Sequence, residues 1–213
     1  MNSKIFEVYK NKYPDCDLND DGIINEEIYG KEEIKVLFLL KETDELGGSL
    51  IDFLSIGAPG GGAKTWQPLC KWTEALLDGT EDCSYTNVEE RKEILNRIAT
   101  INLKKVPGGS TSDSSYITFA SENIDLLLEQ ISEIPCDIYI LCCDDDGNKF
   151  IKDSLLYIDE WKDLDKSELK YAYTKDGKLA IKARHPNRSS WRLVDSFWFL
   201  NKAIKENEIQ LLR

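Results

Sequence analysis

The sequence predicts an α/β domain of three layers, α/β/α, around a central, mostly parallel four-stranded sheet. Three observations predict it. Short apolar runs recur with almost no polar alternation, as strands buried on both faces require. Segments with helical spacing separate these runs, which implies right-handed crossovers and a sheet covered on both sides. Three of the runs end directly in polar segments, and parallel strands would gather those at one edge, where such sheets bind their ligands.

Taken in order, residues 3–12 suit an amphipathic helix with Ile5, Phe6, Tyr9 and Tyr13 on one side, stopped by Pro14. Residues 1–33 are expected to form an N-terminal helical arm on a single domain spanning 1–213. Residues 34–40, Ile-Lys-Val-Leu-Phe-Leu-Leu, read as the first strand. A loop containing Gly47-Gly48 and Gly60-Gly61-Gly62 follows. Residues 66–78 have helical spacing through Trp66, Leu69, Cys70, Leu76 and Leu77. Residues 88–97 form another helix capped by Thr86 or Asn87. Residues 98–103 are the second strand, and Ser121 caps a helix running to Ile134. Residues 137–142 are the third strand, and 147–157 a helix. Segments 169–173 and 178–183 flank a turn at Lys175-Asp176-Gly177, the second segment being the fourth strand. A final helix runs from about Ser190 to Asn207.

With 213 residues, 41% hydrophobic composition and five Trp, the chain can build a sizeable core. No apolar run approaches the ~20 residues that cross a bilayer, and the start lacks a leader-like apolar stretch, so the expected location is cytoplasmic, away from membranes. The six cysteines include no Cys-x-x-Cys pair. They are expected to be reduced thiols, with Cys70, Cys136 and Cys142 in the core, and neither metal nor cofactor is called for. The formal charge of −12 argues against broad nucleic-acid binding. It is unevenly spread, however. Between Lys175 and Arg192 six basic residues face one acid, leaving about −17 on the remainder.

The three polar segments are Lys41-Glu42-Thr43-Asp44, Asn102-Leu103-Lys104-Lys105, and Arg184-His185-Pro186-Asn187-Arg188-Ser189-Ser190. His185 is the only histidine. Pro186 biases it toward an extended backbone that can present the imidazole to a ligand. Glu42 and Asp44 are candidate carboxylates, although Lys41 and Glu42 could simply pair at the surface. Asn102 offers a donor and an acceptor suited to a nucleobase edge, or it satisfies nearby backbone.

Together these segments resemble the uracil-DNA glycosylase superfamily over roughly residues 34–205. Val36 to Asp44 is similar to the family's first motif. Ile101 to Gly108 resembles its asparagine strand with the Pro/Gly continuation, and His185-Pro186-Asn187-Arg188-Ser189-Ser190 its closing loop. The resemblance implies a uracil-DNA glycosylase-like fold and an enzyme that flips a base into a pocket. Asn102 would read the base edge. Glu42 or Asp44 would orient water at the sugar C1′. His185 would stabilise charge on the departing base. Trp66 would stack on the base, though its helical spacing equally suits the core. Lys104, Lys105, Arg184, Arg188, Ser189 and Ser190 would contact single- or double-stranded DNA carrying a modified base. The chain departs from the family in having no glycine or proline in Leu40–Asp44, and Asn187 where serine follows the proline. Those departures support an alternative: a non-catalytic module that keeps the fold and binds a nucleotide or a partner.

Two weaker signals stand apart. Asp17, Asn19 and Asp21 before Gly22 match the start of a calcium loop, but position 12 is Ile28, which favours an Asx-rich turn. Asp144-Asp145-Asp146 could hold magnesium, but acids also favour helix starts.

Overall fold

The computed structural model describes residues 3–43, 48–60, 63–108, 115–186 and 193–211. The four expected strands are β2 (Val36–Leu40), β3 (Ala99–Asn102), β4 (Ile138–Leu141) and β7 (Leu179–Lys182). They are mutually parallel in the order β3-β2-β4-β7. The sheet is nevertheless larger and mixed. β1 (Gly22–Ile23) pairs antiparallel with β3, and β6 (Lys170–Tyr173) pairs antiparallel with β7 and carries β5 (Lys162–Asp163). The four-stranded expectation is thus corrected to a seven-stranded sheet. β6 is the first arm of the hairpin around Asp176-Gly177, closed by the Gly177 N–H donating to the Thr174 carbonyl at 2.8 Å. β1 and β5 have two residues each, too few to show a period.

All five β2 residues are buried, and the pleat divides them between two cores. Val36, Phe38 and Leu40 face one, with α3 (Leu50–Ser55), α4 (Ala63–Leu77), α5 (Val88–Leu95) and α9 (Leu193–Lys205). Leu37 and Leu39 face the other, with α2 (Glu26–Lys31), α6 (Ser115–Glu122), α7 (Ile124–Glu133) and the π-helical turn Ile151–Leu155 that continues α8 (Asp145–Phe150). Helices therefore cover both faces. In the first core α4 packs on α9 through stacked Trp72 and Phe197, ring centroids 5.2 Å apart. α1 (Ser3–Lys12) places Ile5 and Tyr9 against Phe119 of α6. Within the expected arm, Gly22–Ile23 joins the sheet. No helix among the described residues is long and apolar enough to cross a membrane.

The helix expected from Ser121 to Ile134 is α7, which starts after Asn123; Ser121 lies instead inside a preceding helix, α6, and the two are broken at Asn123. Its amide nitrogen donates to the Phe119 carbonyl and to Tyr13 Oη, and Lys12 Nζ donates to its amide oxygen, so the break is anchored to the end of α1. α5 is capped by Asn87 through a reciprocal bond with Glu90, which decides between the two candidate caps. The expected start of α9 at Ser190 lies outside the described residues.

Buried Arg91 ties the chain after α3 to α5. Its guanidinium donates to the carbonyls of Gly57 and Thr86 at 3.0 and 2.7 Å. Gly57 has φ +87°, and a Cβ there would overlap the Val88 carbonyl. Gly57→Ala is therefore expected to cost about 2 kcal/mol or more, since both backbone strain and an immovable clash oppose it. A urea midpoint unchanged from wild type would contradict this.

Candidate functional site

Strand register brings Asn102 level with Leu40, and Leu141 level with both Leu39 and Lys182. The segments after β2, β3, β4 and β7 consequently leave the sheet at one edge. Asn102 ends β3 and His185 follows β7, strands three places apart, roughly 14 Å at the usual strand spacing. Two groups of polar side chains occupy this edge.

The first surrounds Asp144, the N-cap of α8. Its carboxylate accepts from Lys41 Nζ at 2.5 Å, from the Gly147 N–H at 2.9 Å and from Tyr116 Oη. The Lys41 ammonium also sits 5.2 Å from the Tyr116 ring centroid. Partial burial pushes the Asp144 carboxyl up, but these donors outweigh it and hold the group down, from 3.8 to about 2. Tyr116 is pushed up by burial and by its bond to Asp144. A carboxylate lowered by folding adds stability above its unfolded pKa and loses it as pH falls through the folded one. The Asp144 contribution should thus fade between about pH 4 and pH 2. Asp144→Asn should flatten that part of the stability–pH curve. The side chain is 46% exposed, so solvent screening keeps the effect small. Denaturant midpoints measured across this range check it, and identical curves for both proteins would refute it.

The second group surrounds the end of β3. Glu42 accepts from Lys104 Nζ at 2.7 Å. Its side chain is only 4% exposed, and Gly108 packs so closely that a Cβ there would overlap the carboxyl group. Glu42 therefore pairs across strands with Lys104, not with Lys41. Lys105 points inward. Its ammonium donates to Asp21 at 2.7 and 2.9 Å and to the Asn102 carbonyl at 2.9 Å. Burial lowers the Lys105 pKa against the opposing pull of Asp21. The expected outward role of Lys105 at phosphates is thus corrected: its charge is spent inside. Asn102 is buried, and its backbone N–H donates to Asp21 at 2.7 Å. Its side-chain amide nitrogen has no hydrogen-bond partner.

Between the ends of β2, β4 and β7 lies a cleft of about 440 Å³. His185 and Arg184 line it, together with Lys41, Asp144, Asp145 and Lys182. Arg184 pairs with Glu168 at 3.2 Å, and Lys182 with Asp145 at 2.8 Å. Glu42 and Asn102 share the edge but are not among the residues lining this cleft. Trp66 is 7% exposed and packs in the first core, so the expected stacking face is corrected to a core residue. Asp44, Arg188, Ser189 and Ser190 lie outside the described residues.

Sequence reasoning missed Lys41, Asp144 and Tyr116 as a unit. Lys41 is the first residue beyond a buried strand and Asp144 precedes a helix, so each carried a positional signal. Tyr116 carried none. The calcium-like pattern is otherwise engaged: Asp21 serves Lys105, and the Asn19 amide donates to the Gly48 carbonyl at 2.8 Å. In the acidic run, Asp144 caps α8 and Asp145 pairs with Lys182, as a helix start would have it. Among the described residues no cluster of three metal-ligating side chains occurs. Compared with known proteins, the sequence matches no family model and no curated protein.

Proposed function

We propose that this chain is a base-excising N-glycosyl hydrolase of the uracil-DNA glycosylase-like kind, acting on a damaged or deaminated base. The observation that carries the reading is His185 in a cleft at the carboxyl edge of the parallel strands, with the unpartnered amide of Asn102 at the same edge. A buried amide without a partner is costly, and a ligand edge would repay that cost. On this reading Asn102 recognises the base only if the edge opens, since its amide is buried and does not line the cleft. His185 stabilises the charge that leaves with it, which requires a group placed before the reaction begins. A carboxylate orients the attacking water. Glu42 can do so only if its pair with Lys104 opens, so Asp44 is the competing choice.

A second reading has a specific observation in its favour. Glu42 is closed off by Lys104 and Gly108, and Trp66 is core, as suits a module that keeps the fold and binds a nucleotide or partner without chemistry. One assay separates the two. Purified protein is incubated with single- and double-stranded oligonucleotides containing uracil, hypoxanthine or xanthine, and abasic sites are cleaved with alkali. Release of the modified base is expected, from these oligonucleotides or from the corresponding nucleoside monophosphates. Its absence from every one of these substrates would move the conclusion to the binding module.

A further inference from the structure

Among the described residues the cleft carries four lysine and arginine side chains, Lys41, Lys170, Lys182 and Arg184. Each is already held by a carboxylate. Lys41 lies 2.5 Å from Asp144, Lys182 2.8 Å from Asp145, Lys170 3.1 Å from Asp163 and Arg184 3.2 Å from Glu168. Three of these four carboxylates, Asp144, Asp145 and Glu168, line the cleft themselves. Beyond the cleft, Lys104 and Lys105 are spent on Glu42 and Asp21.

This pattern is poor equipment for holding a nucleic-acid polymer. Affinity for DNA comes largely from cations that neutralise phosphates and release counterions. A phosphate entering here must first break an ion pair, so the exchange returns little. A chain of net charge −12 also repels a polyanion at long range, while one phosphate is repelled far less. The cleft is nonetheless the size of a small-molecule site. Its volume of about 440 Å³ falls inside the roughly 300–1000 Å³ of ligand pockets, and Leu169, Ala183 and Leu193 give it an apolar wall.

Resting on the base-excision reading of His185, we infer that the substrate is a free nucleoside or nucleoside monophosphate with a modified base, and not a base embedded in duplex DNA. The monophosphate exchanges places with one rim carboxylate, and the base lies on the apolar wall.

The test offers the same modified base as a nucleoside monophosphate, in a single-stranded oligonucleotide and in a duplex. Excision is measured by release of free base, and binding by NMR titration of the intact protein. Both are run between ~50 and ~200 mM salt. Monophosphate binding that shifts the His185 and Lys41 resonances, at least as tight as duplex binding and nearly indifferent to salt, is expected. A double variant, Asp145→Asn with Glu168→Gln, frees Lys182 and Arg184. It should bind duplex about tenfold more tightly at low salt and with a steeper salt dependence. Both carboxylates are substantially exposed, so the fold should tolerate the change. Excision confined to duplex, with a salt slope of several phosphates, would overturn the inference while leaving base excision intact. Monophosphate binding with no excision of any substrate would instead overturn base excision and leave the ligand class standing. Failure to bind the monophosphate overturns the inference whatever the oligonucleotides do.

Discussion

Asp21→Asn is expected to cost about 3–5 kcal/mol of stability, because it strands a buried ammonium. The Asp21 side chain is fully buried and serves three donors: Lys105 Nζ, the Asn102 N–H and Gln130 Nε2. Asparagine keeps one acceptor oxygen but loses the charge that balances the Lys105 ammonium, and its NH2 group replaces an acceptor that faces three donors. At ~2–4 °C per kcal/mol for a chain of this size, the melting temperature should fall by roughly 6–20 °C. Asp21→Asn combined with Lys105→Met should cost much less than the sum of the two single changes, since it removes the stranded charge as well. A double-mutant cycle by chemical denaturation measures this, and strict additivity would show that the pair is not coupled. The interaction joins the end of β3 to the segment before β1. Loosening it should therefore also disturb Asn102, whose amide hydrogen exchange provides a second readout.

His185→Ala should lower turnover by about 10²–10³-fold if the chain excises bases, with binding weakened far less. Charge on the leaving base exists only in the transition state, so a group that stabilises it acts on the rate and not on ground-state affinity. The loss corresponds to about 2.7–4 kcal/mol of barrier, as for one preorganised electrostatic donor. Single-turnover rates set beside equilibrium binding separate the two effects. Equal losses in rate and affinity would make His185 a ligand contact and nothing more.

The sheet's parallel centre was legible because each strand is sandwiched between helices. A strand with both faces buried must be apolar throughout, so Val36–Leu40 and Ile138–Leu141 announce themselves. The hairpin was legible as a turn, but β6 was not counted. Its residues Lys170–Tyr173 are only partly buried, and nothing local says on which side of β7 they pair. The break between α6 and α7 was hidden for a different reason. Asn123 is held by groups more than 100 residues away in the chain, at Lys12 and Tyr13. The same distinction divides the site. Which polar segments reach the carboxyl edge follows from strand order, and so could be inferred. Which cation each carboxylate takes does not. Glu42 lies beside Lys41 in sequence yet pairs with Lys104, while Lys41 crosses to Asp144. Lys104 and Lys105 are neighbours with opposite fates, one at the edge on Glu42 and one inside on Asp21.

The antiparallel additions at the sheet margins also bear on how the molecule behaves among its own copies. A parallel core left bare would present two rows of unpaired backbone N–H and C=O groups, ready to recruit another chain. Here β3 is covered by β1 and β7 by β6, so the outermost strands are Gly22–Ile23 on one side and Lys162–Asp163 on the other. Two residues offer too little ladder to template a neighbour, and the second of these margins is exposed and charged. Native molecules should therefore resist growth into fibrils by strand addition even when concentrated, and seeding through the sheet margins would require β1 or β5 to detach first.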